Sequence, residues 1–215
     1  MQRDRYHHGD LRNALVTAAG RLIETNGPVA FSLRKAARDV GVSANAAYRH
    51  FDDKSVLITA VAARGFSQLA ERMRHAMENA TATLNDEPAS VARFMAVGRA
   101  YVEFAIDHPQ IFRVMFGEFG ASCLHSGNSV HDAPWAILSQ SLDALVAERV
   151  LAPERRHGAE MKAWSVVHGV ASLWVDGLAM APTQRERQSS LEALLWFTVV
   201  GICSDHQLAT RAARP

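Results

Sequence analysis

Apolar side chains recur along this chain at three- and four-residue intervals, and no stretch shows sustained alternation bounded by turns. The first pattern is that of helices with one buried face, and the lack of the second leaves no strand to place. Leu11, Leu15, Ala18, Ala19, Leu22 and Ile23 form a stripe. Gly9-Asp10 opens it with Asp10 as the expected N-cap, and Asn26-Gly27-Pro28 closes it. Leu33, Ala36, Ala37 and Val40 fall at i, i+3, i+4 and i+7, a second stripe, with Ser32 at its N-cap and Gly41 just past its end. Val42 turns back toward the core, and Ser43 caps a short third helix over residues 44–50.

Asp52-Asp53 caps a long helix over 54–80. Its apolar positions Val56, Leu57, Ala60, Val61, Phe66, Leu69, Met73 and Met77 drift around the axis, as a connector that meets two cores requires. A polar break over 81–88 precedes a helix over 89–107. His108-Pro109 makes a joint, because the residue before proline is pushed out of helical angles while proline suits a first turn. Residues 110–116 continue as helix, 117–133 read as a long loop, and Pro134 starts a helix over 135–149. Pro153 introduces a final pair, about 154–180 and 185–208. The expected fold is all-α with about nine helices. Residues 1–52 form a small head and 53–215 a larger body.

The segment from Ser32 to Lys54 carries the first chemistry. Two short helices joined at a glycine match a helix-turn-helix, whose second helix enters the DNA major groove. Its leading turn, Ala44, Asn45, Ala46 and Ala47, is slim, and Tyr48, Arg49 and His50 follow with donors that phosphate oxygens accept. The run SLRKAARDVGVSANAAYRHFDDKSVL resembles the DNA-binding domain of the tetracycline-repressor (TetR) family of bacterial transcription regulators. Leu33, Ala36, Ala37, Val40, Gly41, Val42, Tyr48, His50, Phe51 and Lys54 stand in the family's register without a gap. The resemblance implies a regulator of transcription, most naturally a repressor. Asn45 would reach a base edge, adenine being its best bidentate partner. Ser43, Tyr48, His50 and Lys54, with Arg34 on the preceding helix, would hold phosphates, and Ala44 and Arg49 complete the contacting surface. Upstream, Arg3, Arg5, Tyr6, His7 and His8 form either a solvated terminus or an arm that orders on DNA.

In the body, AWSVVHGVA (163–171) together with DHPQIFRVMF (107–116) resembles the WHG-type ligand-binding domain of one TetR subgroup. Trp164 and His168 share a helical face. His168 is either a core histidine satisfied by a neighbour or the polar tip of a ligand cavity among Phe66, Phe104, Phe112, Met115 and Trp164. The last two helices are apolar nearly all round, which calls for cover on every side. A second copy would supply it, and the resemblance implies the same homodimer, with Val170, Trp174, Leu195, Trp196 and Val199 at the contact. A two-fold dimer presents two heads to a palindromic operator with half-sites about 34–36 Å apart. Asp176 stands in this apolar setting as an acid that must face solvent, meet an arginine or line a pocket.

Composition adds little to this picture. Apolar residues are 48% and charged residues 21%, a globular balance. The net charge of +1 hides nine Lys/Arg against six Asp/Glu in residues 1–55, a modestly basic head for nucleic acid. Cys123 and Cys203 fit no redox or metal spacing, MQRDRYHHGD is too polar for a secretory signal, and the apolar run 193–203 is short of the ~20 residues that span a membrane. The expected setting is the cytoplasm, with double-stranded DNA, a small-molecule effector and a second copy as partners, no membrane and no cofactor. Two alternatives remain: a DNA-binding dimer with no ligand, or a metal-dependent protein or enzyme built on Cys123, His125 and His131. The second lacks any HExxH or paired-cysteine pattern.

Overall fold

The computed structural model describes residues 8–80, 88–120, 132–179 and 183–203, with side chains from Leu11 onward. All regular structure among them is helical. The helices are α1 (His8–Ala30), α2 (Leu33–Val40), α3 (Ala44–Tyr48), α4 (Lys54–Glu78), α5 (Ala89–Asp107), α6 (Pro109–Phe116), α7 (Asp132–Ala147), α8 (Ala159–Val175) and α9 (Gln184–Cys203), with a 3-10 turn at Pro153–Arg155. Residues 118–120 are also helical, and α7 begins at Asp132, so the expected loop over 117–133 is shorter at both ends. Residues 121–131, and with them Cys123, His125 and His131, lie outside the described residues, as do the arm 1–7 and most of the 81–88 break. Asp10, expected as the N-cap of α1, falls inside its first turn because the helix starts at His8.

The chain packs as two compact units. The first holds residues 1–67 and 108–131, and the second holds 68–107 and 132–215. This packing boundary differs from the chain-order division at residue 52, since the start of α4 and all of α6 belong with the head helices.

In the first unit, α1 runs to Gly27, whose φ of 76° and ψ of 163° break the helix before Pro28. Lys54 Nζ donates to the Val29 carbonyl (3.0 Å) and Lys35 Nζ to that of Ala30 (3.3 Å), tying off the end of α1. Leu15, Ala19 and Ile23 of α1, Leu33 and Ala37 of α2, Phe51, and Leu57 and Ile58 of α4 are buried together as the apolar core. Helix α6 packs on α1 through its own N-terminus. Both carboxylate oxygens of Glu24 accept there, from the backbone N–H of Gln110 (3.1 Å) and of Ile111 (3.4 Å). An acid at a helix N-terminus satisfies orphan donors and meets the positive end of the helix dipole. Phe116 of α6 stacks edge-on against Phe66 of α4 (5.4 Å between centroids) and lies tilted against Phe112 (4.8 Å).

In the second unit α5 lies against α7, α8 and α9. Val91, Phe94, Leu138, Leu142, Leu145, Leu151, Ala163, Val199 and Ile202 build its core. Arg99 of α5 grips Glu192 of α9 by both Nε (2.6 Å) and Nη2 (2.8 Å), the fork geometry that fixes one helix against another. Arg156 donates to Asp143, Glu160 and Ser139, which ties the 3-10 turn to α7 and α8. Thr183 and Glu186 form a reciprocal capping box at the start of α9. Among the described residues no helix is long and apolar enough to cross a membrane.

Candidate functional site

Two serine caps and one glycine build the head's recognition element. Ser32 Oγ accepts from Lys35 N (3.2 Å), which starts α2. Gly41 ends that helix at φ 78°, ψ 26°, a left-handed conformation that costs an L-residue steric strain. The N–H of Gly41 donates to the Arg38 carbonyl (3.0 Å) and that of Val42 to the Ala37 carbonyl (2.9 Å), the Schellman pattern. Ser43 Oγ then accepts from Ala46 N (3.2 Å) and starts α3. Ala47 points into the core and Phe51 lies beneath, 1% exposed, with the Arg12 guanidinium 5.0 Å from its ring centroid.

That anchoring leaves Ser43, Asn45, Tyr48 and Arg49 exposed on and beside α3, with Ala44 half-buried. Arg34, on α2, is also exposed. His50 is half-buried. Lys54 also ties down the end of α1, donating one of its ammonium hydrogens to the Val29 carbonyl. Asp53 Oδ1 accepts from Ser55 Oγ (2.6 Å) and from Val56 N (2.9 Å). These bonds cap α4 and hold the Asp53 carboxyl below the usual carboxylate range.

The six residues expected around a ligand fall in both units. Phe66, Phe112 and Met115 are buried in the first, where a Cβ on Gly65 would lie 2.6 Å from Met115 Sδ. Phe104, Trp164 and His168 belong to the second. There the structure supplies a residue the sequence reading passed over. Tyr101 Oη accepts from Trp164 Nε1 (3.2 Å) and lies 2.8 Å from His168 Nδ1. The direction of the Tyr101–His168 bond follows the imidazole tautomer, since a phenol oxygen that accepts from the indole can still either donate to Nδ1 or accept from it. Trp164 and His168 stack at 4.9 Å, and Trp135 meets Trp164 edge-on at 6.3 Å. Tyr101 thus engages Nδ1 of His168, and the pair sits among aromatic rings that a ligand could also use.

Burial lowers the His168 pKa from 6.5 and raises that of the Tyr101 hydroxyl. A histidine kept neutral by its fold makes the unfolded chain the better proton binder in acid. Its contribution is therefore complete above pH 6.5 and is lost as pH falls toward the lower folded value. Thermal melts between pH ~7.5 and ~5 should show a loss that is smaller in His168→Gln. Identical pH profiles for the two proteins would remove His168 as the source.

The expected dimer residues require correction. Leu195 is 1% and Val199 2% exposed within a single chain, and Val170 is buried as well. Leu195 faces α5, where a Cβ on Gly98 would lie 2.5 Å from its Cδ2. Within a single chain these three are core residues with little surface left for a partner. Trp174 is half-buried, while Leu173, Trp196 and Phe197 present apolar surface beside Gly169 and Gly201, both of which have open space where a Cβ would stand. Asp176 is exposed at the C-cap of α8 (φ −89°, ψ 0°). Among the described residues no group of three or more His, Cys, Asp or Glu could hold a metal ion.

Residues 15–61 match the family model described as bacterial regulatory proteins, tetR family, and residues 94–203 match that described as tetracyclin repressor-like, C-terminal domain. No curated protein matches the sequence. A solved protein of unknown function from Rhodococcus sp. RHA1 is 26% identical, with a TM-score of 0.69 over 91% of this chain and 98% of that one. A bacterial regulatory protein in the tetR family from Rhodococcus RHA1 is 18% identical, with a TM-score of 0.59 over 91% of this chain and 98% of its own. PfmR, a TetR family transcriptional regulator from Thermus thermophilus, is 18% identical, with a TM-score of 0.59 over 88% of this chain and 96% of its own. The last two likenesses are of fold. The C-terminal model alone spans just over half of the sequence and the N-terminal model spans the helix-turn-helix, so the chain belongs to the TetR family of DNA-binding transcription regulators.

Proposed function

We propose that this protein is a transcriptional repressor that binds a palindromic operator as a homodimer and leaves it when a small, largely apolar molecule occupies the body. The observation that carries the DNA-binding half is the exposed face of α3. Its Ser43 cap, Asn45, Tyr48 and Arg49 stand outward while Ala47 and Phe51 fasten the helix from below. Asn45 reads a base edge; Ser43, Tyr48, Arg49 and Arg34 hold phosphates and set the register. His50 adds a further donor beside α3, and Lys54, which gives one of its three ammonium hydrogens to the Val29 carbonyl, keeps two for a phosphate. The aromatic group of Trp135, Trp164, Tyr101 and His168 supports an effector site in the second unit. By linkage, an effector that weakens operator binding is itself bound more weakly on the operator, by the same factor. The protein works by binding rather than catalysis, without a cofactor, in the cytoplasm where its DNA target lies.

An operator selected from random DNA gives the test. Asn45→Ala should lose about 1–3 kcal/mol of discrimination at one base position and little elsewhere. Tyr48→Phe and Arg49→Ala should weaken all sequences alike, each flattening the log–log salt dependence by about 0.9. Unchanged discrimination in the first variant and unchanged slopes in the others would sink the assignment of α3 as the reading helix.

A further inference from the structure

The second unit holds a half-open cleft of about 810 Å³, within the range of small-molecule sites, formed where the end of α4 and α5 face the first turns of α9. It exists because its floor is built from alanine. Ala76 stands on α4, and Ala92, Ala96 and Ala100 follow one another at four-residue intervals along α5. At 1.5 Å of rise per residue, that row on α5 makes an apolar track about 12 Å long. Among the described residues no aromatic side chain lines the cleft, so a flat aromatic cation would find no stacking surface on them.

The polar wall divides into engaged and unengaged groups. Both oxygens of Glu192 are taken by the fork of Arg99, and Glu103 accepts from Arg72 at 3.4 Å. Glu192 is thereby neutralised within the unit, whereas Glu103 shares Arg72 with Asp107, which accepts at 2.7 Å. Arg185, one α9 turn away from Gln188 and Ser189, also lines the cleft and has no hydrogen bond or ion pair among the described residues. The capping box of Thr183 and Glu186 occupies the backbone at the start of α9. Among the described lining residues, Arg185 is thus a cation without an acid of its own, beside two neutral donors at the head of a narrow apolar track.

We infer that this cleft binds an anionic amphiphile, a carboxylate or similar monoanion on a slender apolar body, with the head on Arg185 and the body along the alanine row. The site is separate from the Trp164–His168 group and does not depend on an effector binding there. Gln188 and Ser189 add hydrogen bonds to the head, and Met95, unbranched and adaptable, closes on the body.

Calorimetric titration of the full chain with decanoate, decanol and decyltrimethylammonium tests it. Decanoate should bind saturably at one site per chain, and the neutral and cationic analogues at least tenfold more weakly. Arg185→Gln, at an exposed and unpaired position, should leave the melting temperature unchanged and weaken decanoate about tenfold. Ala92→Leu, which projects into the track, should abolish binding while His168→Gln leaves it intact. Equal binding of all three probes, decanoate binding indifferent to Arg185→Gln, or loss of decanoate binding in His168→Gln would each overturn the assignment. The last would move the ligand to the aromatic group.

Discussion

Phe51→Ala should cost the first unit about 3–5 kcal/mol, most of what holds a unit of this size together. The ring is 1% exposed, between the end of α3 and the start of α4, and it is the largest side chain directly beneath the recognition helix. Its removal leaves a cavity that short neighbours such as Ala36, Ala37 and Ala47 cannot fill, and it takes away the face on which Arg12 rests. Operator binding should disappear with the fold of the head, while the second unit keeps its own core. Hydrogen exchange separates the two, with protection lost over residues 11–67 and 108–116 and retained over 132–175. Phe51→Leu should retain most of the stability, because volume is nearly conserved. Tyr48→Ala makes the contrast, since an exposed phenol on α3 contributes to binding and little to folding. If Phe51→Ala melts like the parent protein, the head is not organised around this ring.

The parts of the structure that were legible in the sequence are those set by neighbours close along the chain. Ser32, Gly41, Ser43 and Asp53 cap what their spacing says they cap, because each acts on a backbone group within five residues. The joint at His108-Pro109 follows from the same local sterics, with α5 ending at Asp107 and α6 starting at Pro109. What escaped depends on groups far apart in sequence. Glu24 reaches 86 residues to cap α6, and that contact places α6 with the head helices. Lys54 is placed by the family pattern as a phosphate anchor, and nothing local reveals that the end of α1 returns to it as well. Tyr101 lies more than 60 residues from its partners and nothing local marks it, although an indole N–H and an imidazole on one helical face already called for a polar partner. A helix apolar all round likewise declares that it is covered, but not which face meets its own chain. Leu195 and Val199 go to α5 and the protomer core, and the outward face falls to Phe197 and Trp196.

That reassignment makes the dimer testable by one charge. Phe197→Arg should give a monomer, whereas the same change at Leu195 should give an unfolded second unit. Phe197 is 67% exposed on α9, so arginine there costs the isolated chain almost nothing. In a two-fold dimer every change occurs twice, and the patch meets itself or its close neighbours. Each phenylalanine removed takes away about 1.5–3 kcal/mol of burial, and two guanidinium groups without partners must be desolvated in its place. Leu173→Arg, on the facing stretch of α8, should act the same way. Sedimentation would read the change in mass directly. Binding to a half-site should survive in the Phe197→Arg monomer, because the first unit is untouched. Binding to the full operator should fall by about 10²–10⁴, the effective-concentration advantage of linking two heads. A Phe197→Arg protein that remains dimeric and holds the full operator at parental affinity would place the contact elsewhere. If Leu195→Arg instead yielded a folded monomer, Leu195 would belong to the interface after all, against its packing over Gly98.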